Sequence, residues 1–321
     1  MRFFSFALVG LAACGSPPAP VAAAPTATCS AAPAPPTPPP VATVAPPVAP
    51  PEPPAPPPAL KRALDAAAQA IASSDWPTAD KELAAAEAAA GAEAHFAYLV
   101  ARTRATRFAY AGDFERAAAA FGAVIPTLAK HPELRDEFWS HNAMMMIREA
   151  QGDAAAALAE DDQATLAAER GTWDPAGRAT LAFQKDRWHR AYLTRMLAES
   201  RTGTAKQSLV DYARAALDDY RTKGFPDSIA ILDAYFAALD GKKSEALAAA
   251  KRVDPAKDDD VEDLYLVVVG LEAGGDKAGA DAVRKIMRKS TGVHIARAIM
   301  LRWIDLDAKG RGRTPWHAKG R

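Results

Sequence analysis

The sequence lacks an excess of charge of either sign. Its 39 Lys and Arg residues balance 39 Asp and Glu residues, so no net charge draws it to nucleic acid or to an anionic membrane surface. Aromatic residues are also scarce, at 7% within a hydrophobic share of 49%. Alanine supplies much of that share. Because alanine favours helices and buries little area, the composition predicts many closely packed helices.

The N-terminal apolar run, from Phe3 to Ala13, is too short to span a membrane, which takes about 20 apolar residues. Preceded by Arg2, it predicts a signal peptide over residues 1–13. The run ends in Leu11-Ala12-Ala13-Cys14, which resembles the lipobox of bacterial lipoproteins. The resemblance implies lipidation of Cys14 after cleavage, and Gly15 favours sorting to the outer membrane. The alternative, an ordinary secretory peptide, also takes the protein out of the cytoplasm.

A proline-rich segment follows and defines residues 14–58 as a lipidated cysteine with a spacer. It holds 19 of the 26 prolines, and Glu52 is its only charged residue. Such a composition favours an extended polyproline chain, which at about 3.1 Å per residue spans at most roughly 140 Å. Cys29 is the second of the two cysteines, so no intrachain disulfide forms once Cys14 is acylated. The alternative role of the segment is as a proline-rich ligand.

Residues 59–308 carry apolar residues at helical spacing, interrupted by short turns. Gly112-Asp113-Phe114 is followed by Ala117, Phe121 and Val124, five, nine and twelve residues after Gly112. These offsets place the three residues on one face of the next helix, which the aspartate can cap. We call Gly112 the anchor of this unit. Comparable patterns follow five more anchors: Ser74, Gly152, Gly203, Gly241 and Gly275. Their most consistent feature is a small residue five positions after the anchor. Anchors 34 to 51 residues apart indicate a repeat array.

The unit at 98–131 resembles the tetratricopeptide repeat in the positions of Phe108, Gly112, Phe114, Ala117 and Phe121. The resemblance extends over about 60–288. It implies an all-α solenoid of about six helical hairpins, and a last helix near 292–305 is expected to cap the stack.

Some units depart from this pattern. Asp161 and Arg284 occupy the core position nine residues after their anchors. The longest interval between anchors, 51 residues from Gly152 to Gly203, contains Gly171-Thr172-Trp173-Asp174-Pro175. This segment predicts an elongated loop. In the fourth unit, the same offsets predict that the buried face consists of Ser208, Tyr212 and Ala215.

No pattern of residues in the sequence indicates catalysis. The six histidines form neither HExxH nor an i,i+4 pair, and no Walker loop is present. Asp258-Asp259-Asp260 lacks the glycine of a calcium loop and suits a helix start near 259. Glu199-Ser200 matches the catalytic dipeptide of superhelical lytic transglycosylases, but their Gly-Leu-Met-Gln segment is absent. We therefore expect a protein that is not an enzyme, with no metal, cofactor or small-molecule substrate.

The resemblance to tetratricopeptide arrays also implies a binding groove. In such arrays the first helix of each pair lines a groove that holds partner segments. By offset from the turns, this groove would contain Leu99, Arg102, Thr106, Tyr110, Trp139, Asn142, Met146, Arg190, Tyr235 and Tyr265. Aromatic and arginine side chains dominate many interfaces. The alternative is that Trp139, Met146 and Tyr265 are packing residues.

Together these features predict a lipid-anchored scaffold at the periplasmic face of the outer membrane that binds another envelope protein. The alternative is a protein associated with peptidoglycan or carbohydrate, or a degenerate hydrolase. That alternative would use the basic tail, residues 309–321, which holds five basic residues and no acid.

Lipidation can be tested directly in the full-length chain. We expect Cys14→Ala to abolish labelling with radioactive palmitate, because the acyl chains attach to the sulfur of Cys14 or to its amino group. Cys29→Ala is the matched control and keeps the label. Palmitate retained by Cys14→Ala would contradict the predicted anchor.

Overall fold

A computed structural model of the chain describes residues 54–131, 134, 136–169, 188–222, 224–257 and 261–289. Within these ranges all regular secondary structure is helical, and no residue belongs to a strand. Several predictions fall outside the described residues: the signal peptide, Cys14, Cys29 and nearly all of the spacer, the loop at 171–175, the capping helix near 292–305 and the basic tail.

The helices succeed one another as antiparallel pairs, called hairpins 1 to 6. They are α1 (Pro58–Ala72), α2 (Trp76–Ala90), α3 (Ala94–Tyr110), α4 (Phe114–Leu128), α5 (Glu137–Ala150), α6 (Ala154–Glu169), α7 (188–199), α8 (Gly203–Arg221), α9 (Pro226–Leu239), α10 (Lys243–Ala250), α11 (Val261–Ala273) and α12 (Lys277–Lys289). Neighbouring hairpins pack in order, since α3 contacts α1 and α2, and α11 contacts α9 and α10. The all-α, solenoid-like fold is therefore confirmed.

Four of the six turns within the hairpins share one local structure. At Gly112 the backbone has φ of +75°, which glycine adopts without strain. The next amide, of Asp113, donates to the carbonyl of Phe108 at 3.0 Å and closes α3. The Asp113 carboxylate then accepts from the Arg116 amide at 3.3 Å and caps α4. Asp75, Asp153 and Asp276 cap their helices in the same way, as the sequence predicted.

The helix after each turn buries the predicted face in most units. Ala117, Phe121 and Val124 are all buried, and so are Ala79, Leu83 and Ala86 in hairpin 1. Asp161 is buried at its unusual core position. Arg284 is mostly buried and forms ion pairs with Glu272 and Asp281.

The prediction for the fourth unit was wrong. Ser208, Tyr212 and Ala215 are exposed, and α8 instead buries Val210, Ala213, Ala216, Leu217 and Tyr220. The reason is the position of the glycine. Other second helices start two residues after their anchor, as α4 does at Phe114, whereas α8 starts at Gly203 itself. This earlier start rotates the buried face away from the predicted offsets.

Candidate functional site

Arg102, a predicted groove residue, is held by an ion pair that joins two hairpins. Its Nε donates to Oδ2 of Asp136 at 2.8 Å, and its Nη2 donates to Oδ1 at 3.2 Å. The hydroxyl groups of Tyr98 and Ser140 donate to the same carboxylate. Because α3 carries Tyr98 and Arg102 while Asp136 and Ser140 lie at the start of α5, this cluster fixes hairpin 2 against hairpin 3.

The neighbouring predicted residues on α3 are partly buried. The Thr106 hydroxyl donates to the carbonyl of Arg102 at 3.0 Å within the helix. Tyr110 packs against the hydrophobic core, and burial raises the pKa of its hydroxyl. Both side chains therefore contribute only part of their surface to the exterior.

Trp139, Asn142 and Arg190 keep part of their surface exposed. Trp139 is 37% exposed and lies edge-on to Phe138, and Asn142 is partly exposed. Arg190 donates to Asp162 at 2.5 Å and to the Tyr212 hydroxyl at 3.4 Å, which links α6, α7 and α8.

Tyr235 and Tyr265 are core residues, which corrects their predicted place in a groove. They are 2% and 1% exposed. Tyr235 packs against Tyr192 with ring centroids 5.4 Å apart, and burial raises the pKa of its hydroxyl. In α11 the whole stretch from Leu264 to Leu271 is buried, so that part of the helix has no outward face. The predicted groove residues are consequently not gathered into one exposed site.

A groove that the sequence did not predict lies between α8 on one side and α9 and α10 on the other. We call it the α8–α10 groove, and its volume is about 610 Å³. Its lining combines apolar and charged side chains: Leu217, Phe236, Ala237, Ala248, Ala249, Arg214, Asp218, Arg221, Asp233, Asp240, Lys242, Glu245 and Arg252. The volume lies within the range of protein sites that bind small ligands or side chains.

Two aspartates of the groove each bind two arginines. Asp233 accepts from Arg221 at 2.5 Å and from Arg252 at 2.9 Å. Because Arg221 lies on α8 and Asp233 on α9, the first of these bonds crosses the groove.

Asp240, seven residues after Asp233, accepts from Arg214 at 2.7 Å and from Arg195 at 3.1 Å. Burial would raise the pKa of Asp240, but hydrogen bonds and charge from Arg214 and Arg195 outweigh it and lower that pKa. Since Arg214 also lies on α8, the two aspartates hold α8 to α9 at points two helical turns apart.

The charge spacing alone offered a clue to this groove. Arg214 and Arg221 are seven residues apart, as are Asp233 and Asp240, so each pair shares one helix face. The sequence could not show that these two faces meet, because α8 and α9 belong to different hairpins.

A buried carboxyl group lies deeper in the stack. Glu149 of α5 is 1% exposed, and its Oε1 accepts from the Tyr192 hydroxyl of α7. Among the residues that the structure describes, none offers a hydrogen-bond partner to its Oε2. Burial raises the pKa of Glu149 to about 8, although the Tyr192 hydrogen bond works in the opposite direction. The group is therefore largely neutral in the folded protein at neutral pH.

Two histidine–carboxylate pairs join helices of hairpins 3 and 4, with both carboxylates on α6. Nδ1 of His141 is 2.6 Å from Glu160, and Nδ1 of His189 is 3.5 Å from Asp161. In the described part of the chain, no three His, Cys, Asp or Glu side chains are arranged to hold a metal ion. Nor is any described helix both long enough and apolar enough to cross a membrane.

The raised pKa of Glu149 predicts a pH dependence of stability. The unfolded chain releases this proton near pH 4.5 and the folded protein near pH 8. Between these values the folded state binds more protons, so stability falls as pH rises, by at most about 1.4 kcal/mol per pH unit. Glu149→Gln removes this slope, so we expect its stability relative to the wild type to increase from about pH 5 to pH 8 in urea unfolding.

Glu115→Gln, at an exposed position of α4, is the matched control. The difference in free energy of unfolding between this variant and the wild type is expected to stay constant over the same pH range. A pH-independent difference for Glu149→Gln as well would show that the carboxyl is not buried as described.

No family model matches the chain, and neither a curated protein nor a solved structure matches it. The resemblance to the tetratricopeptide repeat therefore rests on residues of the turns and of the helix faces that follow them. Function is inferred from the repeated hairpins, their ion pairs and the α8–α10 groove.

Proposed function

We propose that the protein is a lipid-anchored scaffold of the bacterial cell envelope, with tetratricopeptide-like repeats that bind another envelope protein. The observation that carries this proposal is the succession of helical hairpins, three of which are built on the same glycine–aspartate turn. Repeats of this kind stack into extended surfaces, and such surfaces commonly serve protein binding.

The N-terminal sequence supports the proposed location. The lipobox-like Leu11-Ala12-Ala13-Cys14 and the following Gly15 favour the periplasmic face of the outer membrane. Several acyl chains on Cys14 would make the attachment nearly irreversible. A polyproline spacer of roughly 140 Å at most would let the helical domain reach partners well away from the bilayer.

The ion pairs between hairpins support a scaffold that keeps a defined shape. Arg107 bonds to Asp80 at 2.7 Å between α3 and α2, and Arg102 bonds to Asp136 between hairpins 2 and 3. Exposed ion pairs add little stability, but their geometry favours one register of stacking over others. A fixed register would give a partner the same surface each time.

A direct test is crosslinking mass spectrometry on the native envelope that contains the full-length chain. We expect lysines of the helical domain, such as Lys206 and Lys242, to crosslink to one defined envelope protein. Arg190→Glu should weaken these crosslinks, because Arg190 is a partly exposed arginine that links three helices. Arg62→Glu, at an exposed position of α1, is the matched control and should leave them unchanged.

One result would favour the alternative function. If no protein crosslinks are found, and the chain instead binds purified peptidoglycan in a manner lost on deletion of residues 309–321, the protein acts at the cell wall. The proposal of a protein-binding scaffold would then be wrong.

A further inference from the structure

The joint between hairpins 4 and 5 is loosely packed on one side. At three other joints, the second helix of one hairpin lies close along the first helix of the next: α2 along α3, α4 along α5, and α10 along α11. The backbones of α8 and α9 come close at far fewer positions. α8 ends at Arg221 and α9 begins at Pro226, so the two helices diverge from a short connection, and the α8–α10 groove fills the space between them.

The other side of this joint, where α7 meets α9, is tightly packed. Every residue of α7 from Ala191 to Met196 is buried, and the ring of Tyr192 packs against that of Tyr235 at 5.4 Å. The side chain of Arg195 is only 2% exposed and donates to Asp240 at 3.1 Å. Because salt screens buried pairs much less than exposed ones, this bond persists when salt is raised. The α7–α9 contact is therefore the fixed side of the joint.

Ion pairs hold the loose side closed. Arg214 of α8 donates to Asp240 at 2.7 Å, and Arg221 of α8 donates to Asp233 at 2.5 Å. The side chains of the two arginines are 46% and 44% exposed. Ion pairs that are this exposed contribute little to stability and weaken as salt is added. The closed position of α8 thus depends on weak, salt-sensitive bonds.

We propose that the joint between hairpins 4 and 5 is a salt-sensitive hinge of the solenoid. When Asp233 and Asp240 lose their bonds to α8, hairpin 4 tilts about the α7–α9 contact, and α8 moves away from α9 and α10. The bond from Arg195 to Asp240 keeps the stacking register while the angle between the hairpins changes. Such closure about a packed contact is a common form of hinge motion.

The floor of the groove supplies the force that closes the hinge again. Leu217 of α8, Phe236 of α9 and Ala249 of α10 line the groove, and each has less than a tenth of its surface exposed. Opening exposes more of this apolar surface to water, which is unfavourable. The hinge is therefore reversible: removal of salt restores the ion pairs and the closed groove.

The hinge adds a second shape to the proposed scaffold. Because the hairpins stack in order, a tilt at this one joint swings hairpins 1 to 4 relative to hairpins 5 and 6. The surface that the stack presents then changes with ionic strength. This inference goes beyond the proposed function, since it concerns the chain alone and requires no partner.

The test measures one distance across the joint by double electron–electron resonance in the full-length chain. Spin labels are attached at Ala215→Cys on α8 and Ser244→Cys on α10, which are exposed positions outside the groove lining. Cys14→Ser and Cys29→Ser leave no other site for the label. Raising potassium chloride to about 1 M, where the Debye length is about 3 Å, should lengthen the distance by several ångströms. Dilution of the salt should restore the short distance.

A matched pair of labels spans a joint that is closely packed. Ala85→Cys on α2 and Ala119→Cys on α4 are exposed and lie on the second helices of hairpins 1 and 2. An ion pair also crosses this joint, from Arg107 to Asp80 at 2.7 Å. Since α2 packs closely along α3, this second distance should not change with salt.

A variant locates the hinge without any change of salt. Asp233→Asn weakens a bond across the groove and leaves the buried pair of Arg195 and Asp240 in place. It should raise the ratio of long to short distances at low salt by about twofold to fivefold, as expected for loss of one partly exposed ion pair. Asp80→Asn is the matched control and should leave both distances unchanged. Far-ultraviolet circular dichroism checks that each variant remains helical.

Three results would overturn the hinge: an unchanged distance between α8 and α10 in high salt, an equal lengthening at both joints, or no effect of Asp233→Asn. Equal lengthening would mean that salt loosens the whole stack. No partner is present in these samples, so failure of the hinge leaves the scaffold function standing. Loss of the envelope crosslinks would likewise leave the hinge standing.

Discussion

The close approach of the two helices in each hairpin is the constraint on which the rest of the structure depends. In five of the six hairpins the residue five positions after the anchor is an alanine: Ala79, Ala117, Ala157, Ala246 and Ala280. All five are fully buried. A larger side chain there would separate the helices and disturb a tightly packed interior.

The turn makes this approach possible. A residue with positive φ reverses the chain, and the aspartate after it in four of the hairpins satisfies an amide at the start of the second helix. Because helix end, turn and helix start are fixed within a few residues, five of the six hairpins bring an alanine to the same buried position. Repetition of this unit then gives a stack in which each hairpin contacts the next.

Polar side chains determine how the hairpins are joined. Arg102 and Asp136 connect hairpins 2 and 3, Glu149 and Tyr192 connect hairpins 3 and 4, and the aspartates of α9 connect hairpins 4 and 5. Replacing a buried polar pair by apolar residues is often neutral for stability, so specificity of stacking is the property that these pairs best explain. At the joint between hairpins 4 and 5, the same arginines also face the open groove.

Features that depend on a few consecutive residues were predictable from the sequence. The turn at Gly112 and the buried face of Ala117, Phe121 and Val124 follow from local spacing. The fourth unit was not predictable in this way, because nothing in its sequence shows that α8 starts at Gly203 rather than two residues later.

Features that depend on contacts between hairpins could not be predicted. Tyr265 has the spacing of a groove residue, yet neighbouring helices surround α11 and bury it. The α8–α10 groove needs the faces of two hairpins to meet, and its charges are 12 to 26 residues apart in the chain where they pair across helices. Such distances carry no periodic pattern that a sequence can reveal.

The most direct measurement of the central claim compares two leucine substitutions on α6 in urea unfolding. Ala157 is fully buried in the hydrophobic core, whereas Ala155 is exposed on the same helix. We expect Ala157→Leu to lower the free energy of unfolding by about 1–3 kcal/mol and Ala155→Leu to change it by less than about 0.5 kcal/mol. Equal effects of the two substitutions would contradict close helix approach at the fifth residue after the turn.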